Sequence, residues 1–357
     1  MEHNSFQPNK RESLLSRTEC NIMRGLAILV IVTNNFGHLV KGVHPDNEYI
    51  YDYSNVSGFV DSLLHLNNLF PLELLSFYSP FGVMLFIFLS GYGLTLKYEF
   101  GNGQSVSAKR FVIDHYTKLF SMQAKGLALF LVFLLMYNVN EIVYFWPFIK
   151  QLFMIANLSP SLKIMPGPYW FFGMIMEVYI IYRFVFYKRS SWLMMSIVAL
   201  SLFIMALLDP VEQLLCYLRI NCCLALLPFS LGVLAARHWE SFSFLFESKL
   251  RVILIFIVSF LLLTSCKFNF YSWLFMPLFV VTTSVTLVIL LSNVNFFALL
   301  FGWLGGLSGV MFVVHPSLRQ ILIERANESG HCYAVVFIYL FLTIVLSVML
   351  KPVFAKK

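Results

Sequence analysis

Charge is scarce in this sequence. Asp, Glu, Lys and Arg make up 12% of the 357 residues, against 59% apolar and 17% aromatic, and the mean hydropathy is +0.78. That balance excludes a soluble globular domain and leaves a polytopic membrane protein. No small-residue cleavage site follows the first apolar run, and the first 23 residues are polar. A removable signal peptide is therefore not expected, and the first helix stays in the mature protein. The six cysteines (Cys20, Cys216, Cys222, Cys223, Cys266 and Cys332) show neither CxxC spacing nor a His/Cys cluster. They read as small buried apolar side chains, and no metal site is expected. No loop exceeds about 40 residues, so no second soluble domain is expected. Inverted repeats, the mark of many transporters, are also missing. The surplus of charge, +7, orients loops in such a protein and does not point to nucleic acid.

What the chain does have is long apolar runs. A helix needs about 20 mostly apolar residues to cross the hydrocarbon core. Ten runs meet that description, at 22–41, 79–97, 118–138, 168–187, 191–208, 219–236, 250–267, 270–291, 297–318 and 333–350. An eleventh, 143–158, is short and holds Pro147 and Lys150, which suits an interfacial or re-entrant segment. The fold class expected is all-α, a polytopic transmembrane bundle of ten spans. With the N-terminus inside, the inner segments hold fifteen Lys and Arg and the outer ones seven, Arg319 among the outer. That bias places both termini in the cytoplasm and the loops 42–78 and 139–167 outside. Residues 1–21 are then a cytoplasmic segment, 22–350 the membrane domain and 351–357 a basic tail.

Several polar groups sit where lipid would be expected. At about 100° per residue, Asn35 falls about 20° from Arg24 and His38 about 40° the other way, with Asn34 at the margin. Arg24, Asn35 and His38 thus share one stripe on the first helix, about 21 Å long. Snorkelling and interhelical bonding are the plain alternatives, but three such groups on one stripe point to a functional cavity. The second helix carries Gly82, Ser90, Gly91 and Gly93, small residues suited to close packing. Lys109, Arg110, His115 and Lys118 precede the third helix, either as an inside anchor or as a cationic pocket for a phosphorylated donor. Glu177 lies deep in the fourth helix, where pairing with Arg24 or another donor competes with catalysis. His315 before Pro316 suggests a helix interrupted near the membrane surface.

The stretches RGLAILVIV at 24–32, GVMLFIFLSGYGLT at 82–95, YWFFGMIMEVYIIY at 169–182 and LGGLSGVMFVVHP at 304–316, taken in order, resemble the integral-membrane acyltransferase-3 family. The resemblance covers nearly the whole chain. It implies a bacterial inner-membrane enzyme that moves acyl groups, commonly acetyl, from cytosolic acyl-CoA to a hydroxyl of a surface glycan or other extracytoplasmic acceptor. The family commonly pairs an Arg at the start of helix one with a His eleven positions later. Arg24 matches the Arg, but position 35 is Asn. A related pattern places a His at the fourteenth position, which His38 matches, with Asn34 in place of another. Further departures are Ile175, Met176 and Glu177 in the fourth helix, and Ser121 and Met122 where prolines often follow the basic segment.

Acyl transfer from a thioester to a hydroxyl needs a base at the hydroxyl and a donor for the developing oxyanion, and the CoA phosphates need cations. His38 is the expected base and Asn35 the orienting or oxyanion donor. Arg24 and Lys118 would engage the donor phosphates. Glu177 would orient a His or bind a substrate hydroxyl, and His315 is a second base or an acceptor contact. The rival reading is a non-catalytic relative on the same scaffold that serves glycan export or assembly.

Overall fold

Inside a hydrocarbon layer every backbone N–H and C=O must find its partner within the chain, which favours helices for runs of this composition. The computed structural model describes residues 13–44, 48–78, 81–101, 106–137, 145–159 and 164–354. Among these it contains no strand. The α-helices are α1 Arg17–Gly37, α2 Tyr53–Leu64, α3 Phe70–Tyr78, α4 Phe81–Thr95, α5 Ala108–Met136, α6 Phe145–Leu152, α7 Trp170–Ile181, α8 Ser191–Ala206, α9 Gln213–Ile220, α10 Cys222–Arg237, α11 Trp239–Phe242, α12 Lys249–Cys266, α13 Phe270–Trp273, α14 Met276–Leu291, α15 Asn295–Gly305, α16 Ser308–Glu328 and α17 Cys332–Phe354. Of the calls made on sequence, the terminal stretches 1–12 and 355–357, parts of the loop at 138–144 and 160–163, and the charges Lys10, Arg11, Lys163, Lys356 and Lys357 lie outside the described residues.

Each of the ten apolar runs contains a helix. Among the described residues six stretches are long and apolar enough to cross a membrane, and counting each of the bent pairs α9/α10 and α15/α16 as one span gives up to eight. The apolar helices α8 and α14 have only 16 residues each, about 24 Å of rise against a core of about 30 Å.

Three expectations change. Helix α1 runs from Arg17 to Gly37, and it begins at Arg17 because Ser16 accepts from the Glu19 N–H while the Glu19 carboxylate accepts from the Ser16 N–H, a reciprocal cap. The basic segment expected ahead of the third span is instead its first turns, since Ser107 caps α5 by accepting from Arg110. No interruption occurs at His315–Pro316. Helix α16 runs straight through Pro316, and the break falls before it, where α15 and α16 meet at 69° around Gly306. Residues 145–158 form the eight-residue α6 and one 3₁₀ turn, about 12 Å of helix and too short to span.

Helix α1 lies at the centre, packed on α3, α4, α14, α15, α16 and α17. Several crossings need glycine, among them that of α1 on α4, where a Cβ on Gly82 would overlap the Ala27 carbonyl. A Cβ on Gly25 would overlap the Phe301 carbonyl, and one on Gly91 the Phe229 carbonyl, so α1 touches α15 and α4 touches α10 backbone to backbone. Gly93, by contrast, has open space beside it.

At the end of α4 a buried ion pair ties three elements. Arg237 of α10 donates Nε to Glu99 Oε2 at 2.8 Å and Nη2 to Oε1 at 2.7 Å, and also reaches the carbonyls of Phe186 and Arg189. The two side chains are only 9% and 8% exposed. Removing one partner strands a buried charge, whereas removing both does not. Arg237→Ala should therefore cost about 3–5 kcal/mol. The double variant Arg237→Met/Glu99→Leu should cost clearly less, as read from denaturation midpoints in detergent.

Candidate active site

The polar stripe of α1 faces two cavities and not one passage. The first, about 580 Å³, is lined at its charged end by Arg24 of α1, Lys118 of α5 and Lys351 of α17. The second, about 250 Å³, is lined by Asn34, Asn35, His38, Glu48, Tyr49 and Arg319 among others. Ile31, Phe171 and Phe312 line both, so the two chambers meet across an apolar partition. Phe171 and Phe312 stand edge to face, 5.4 Å between centroids at 60°.

His38 follows the last residue of α1 and caps it. Its Nδ1 lies 2.7 Å from the Asn34 carbonyl, and a carbonyl can only accept. Nδ1 therefore carries the proton of the neutral ring, and Nε2 carries the lone pair that a general base requires. Asn35 donates Nδ2 to the Ile31 carbonyl at 2.9 Å. Its Oδ1 and its own carbonyl accept from Arg319 Nη1, both at 3.3 Å. The guanidinium of Arg319 is thus held beside His38, facing the same chamber.

The far wall comes from the loop ahead of α2. Arg219 at the end of α9, 1% exposed, donates Nε and Nη2 to the Glu48 carbonyl at 2.9 and 2.7 Å and stacks 3.9 Å from the Trp273 ring. That clamp sets Glu48 and Tyr49 against the chamber. Burial, and next the neighbouring Glu48 carboxylate, push the Tyr49 hydroxyl up to about 12, so at neutral pH it remains an O–H donor.

The other candidates scatter. Arg24, whose Nη1 donates to Asn21 Oδ1 at 3.0 Å, and Lys118 line the larger chamber. Of the basic segment, Lys109, Arg110 and His115 do not line it; His115 packs against Tyr98, Phe111 and Tyr179. Glu177 lines neither chamber and does not reach Arg24. Its Oε2 accepts from the Cys222 N–H at 2.9 Å at the start of α10, and its Oε1 from Asn157 at 3.3 Å, which makes it a helix-terminal acceptor. His315 is fully buried, with Nδ1 3.2 Å from the Met311 carbonyl and Nε2 unpartnered. It stands behind Phe312, 5.8 Å between ring centroids, and opens onto neither chamber.

Arg319, Lys351, Glu48 and Tyr49 also line the chambers, beyond the residues expected from sequence. Arg319 counted as an outer loop charge, although it lies four residues after His315, on the same face of a helix that continues through Pro316. Lys351 was assigned to the tail. Glu48 and Tyr49 belong to the acidic, aromatic loop whose lack of Lys and Arg was the only sign.

A family model described as an acyltransferase domain matches residues 17–351, a range that takes in every residue named here for either chamber. No curated protein and no solved structure matches the chain.

The position of Glu177 gives a direct test of its role. Glu177→Gln keeps an oxygen for the Cys222 N–H and should leave the denaturation midpoint nearly unchanged. Glu177→Ala should cost about 1–2 kcal/mol. Equal losses in the two variants would show that the carboxylate charge, and not the cap, matters.

Proposed function

The chain belongs to the acyltransferase family matched over residues 17–351, and on that premise we propose that it carries an acyl group, commonly acetyl, from cytosolic acyl-CoA to a hydroxyl of an extracytoplasmic glycan. The observation that carries this reading is the pair of chambers on one helix: cationic at the Arg24 end, basic and hydrogen-bonding at the His38 end, with one shared wall.

Arg24, Lys118 and Lys351 supply the positive charge that the CoA phosphates need. Phe171 and Phe312 line the same chamber as these cations, which suits an extended thioester arm running from the phosphates to the partition. From the other side the acceptor hydroxyl approaches His38. As its oxygen bonds to the thioester carbon, Nε2 takes the hydroxyl proton, the C–S bond breaks, and the CoA sulfur leaves as a thiol once a proton is returned to it. Arg319, held by Asn35, faces the carbonyl oxygen as negative charge develops there. Asn35 acts through Arg319 and is a positioning residue. Tyr49 and Glu48 offer a donor and an acceptor for the acceptor's other hydroxyls.

Mass spectrometry of surface glycans from wild-type, deletion and variant strains tests this. Deletion should remove an O-acyl modification. His38→Ala should lower it by about 10²–10⁴-fold, and Arg319→Met by about 10²–10³-fold. Arg24→Ala should act mainly on KM for acyl-CoA. Unchanged acylation on deletion would sink the enzyme reading in favour of a non-catalytic relative. Higher acylation in Asn35→His would return the role of base to position 35.

A further inference from the structure

The partition between the chambers carries a consequence for the donor. If the phosphates of acyl-CoA sit at the Arg24 end and His38 must reach the attacking hydroxyl from the other, the reacting carbonyl lies between Ile31, Phe171 and Phe312. The acyl carbons next to that carbonyl then lie against the same three side chains.

None of the three side chains is loosely held. Phe312 is 7% exposed and meets the rings of Phe171, Phe172 and Tyr169 at 5.4, 5.6 and 6.3 Å. Tyr169 is itself fixed by its hydroxyl, which donates to the Val313 carbonyl at 2.8 Å, one residue along from Phe312. Ile31 is 3% exposed, its carbonyl is taken by Asn35, and its side chain presses on Gly82 of α4 so closely that a Cβ there would collide with it. Behind Phe312 stands His315. Close-packed surroundings of this kind do not yield to an extra methylene without displacing a neighbour.

We propose that Ile31, Phe171 and Phe312 set the acyl specificity, limiting the donor to short acyl chains because these packed side chains bound the acyl carbons beside the reacting carbonyl. The proposal rests on the acyl-transfer reading above and assigns these residues no part in the bond-making step. In this view the buried His315 supports Phe312 from behind and holds the wall in place.

The test uses inside-out membrane vesicles carrying the full chain, given acetyl-, propionyl- or butyryl-CoA labelled in the acyl group, with ester-linked label in the glycan fraction as readout. Wild type should use acetyl-CoA best. Phe312→Ala should raise the butyryl-to-acetyl ratio by about tenfold or more, the range in which a pocket discriminates one or two methylenes. Phe171→Leu trims a less buried ring and should shift the ratio the same way, which covers the case in which Phe312→Ala fails to fold. Acetyl transfer that persists in these variants with the ratio unchanged overturns the assignment and leaves the acyl-transfer reading standing. Absence of chain-dependent acetyl, propionyl and butyryl transfer in wild type overturns both.

Discussion

The contact on which the smaller chamber depends is the reach of Arg319 from α16 to Asn35 on α1. A guanidinium away from bulk water is tolerated only when its protons have acceptors, and Asn35 supplies two, one from its side chain and one from its main chain. Asn35 can do so because its amide nitrogen is already committed to the Ile31 carbonyl, which fixes the direction of its oxygen. One carboxamide thereby links the helix that bears His38 to the helix that bears Arg319 and Phe312. The departure at position 35 from the pattern of a His eleven residues after the Arg is, in this fold, a structural fastening.

Packing and charge divide the work between them. Backbone-to-backbone crossings at Gly25 and Gly91 bring α1 against α15 and α4 against α10, and the larger chamber opens beside the 69° bend between α15 and α16. Where an ion pair is buried, as for Arg237 and Glu99, it is bidentate and further bonded to carbonyls, the arrangement in which such a pair holds separate elements in register. Arg219 does the same for the loop before α2, using a single carbonyl and the face of Trp273.

Much of this was legible in the chain. The helical class, the existence of each apolar helix, the close packing at Gly91 and the polar, cavity-lining face of α1 follow from composition, run length and the 100° period. Boundaries were less legible, because the cap at Ser16 and Glu19 and the start of α5 at Ser107 are set by hydrogen bonds at the ends and not by hydropathy. Pro316 misled for a related reason. A proline interrupts a helix only where the lost N–H bond cannot be tolerated, and the packed interior around α16 keeps the helix going.

By itself the sequence determined that this is a helical membrane protein with the acyltransferase family's motifs in order, and that Arg24, Asn35 and His38 share one side of one helix. These are properties of composition and of a single helical period. Only the tertiary structure decided that this side faces two chambers, that Lys351, Glu48, Tyr49 and Arg319 complete their linings, and that Glu177 and His315 stand outside them. Those facts depend on which helices become neighbours and at what angle, and that is settled by side-chain volumes and by hydrogen bonds between distant residues such as Asn35 and Arg319, 284 positions apart, which no local pattern encodes.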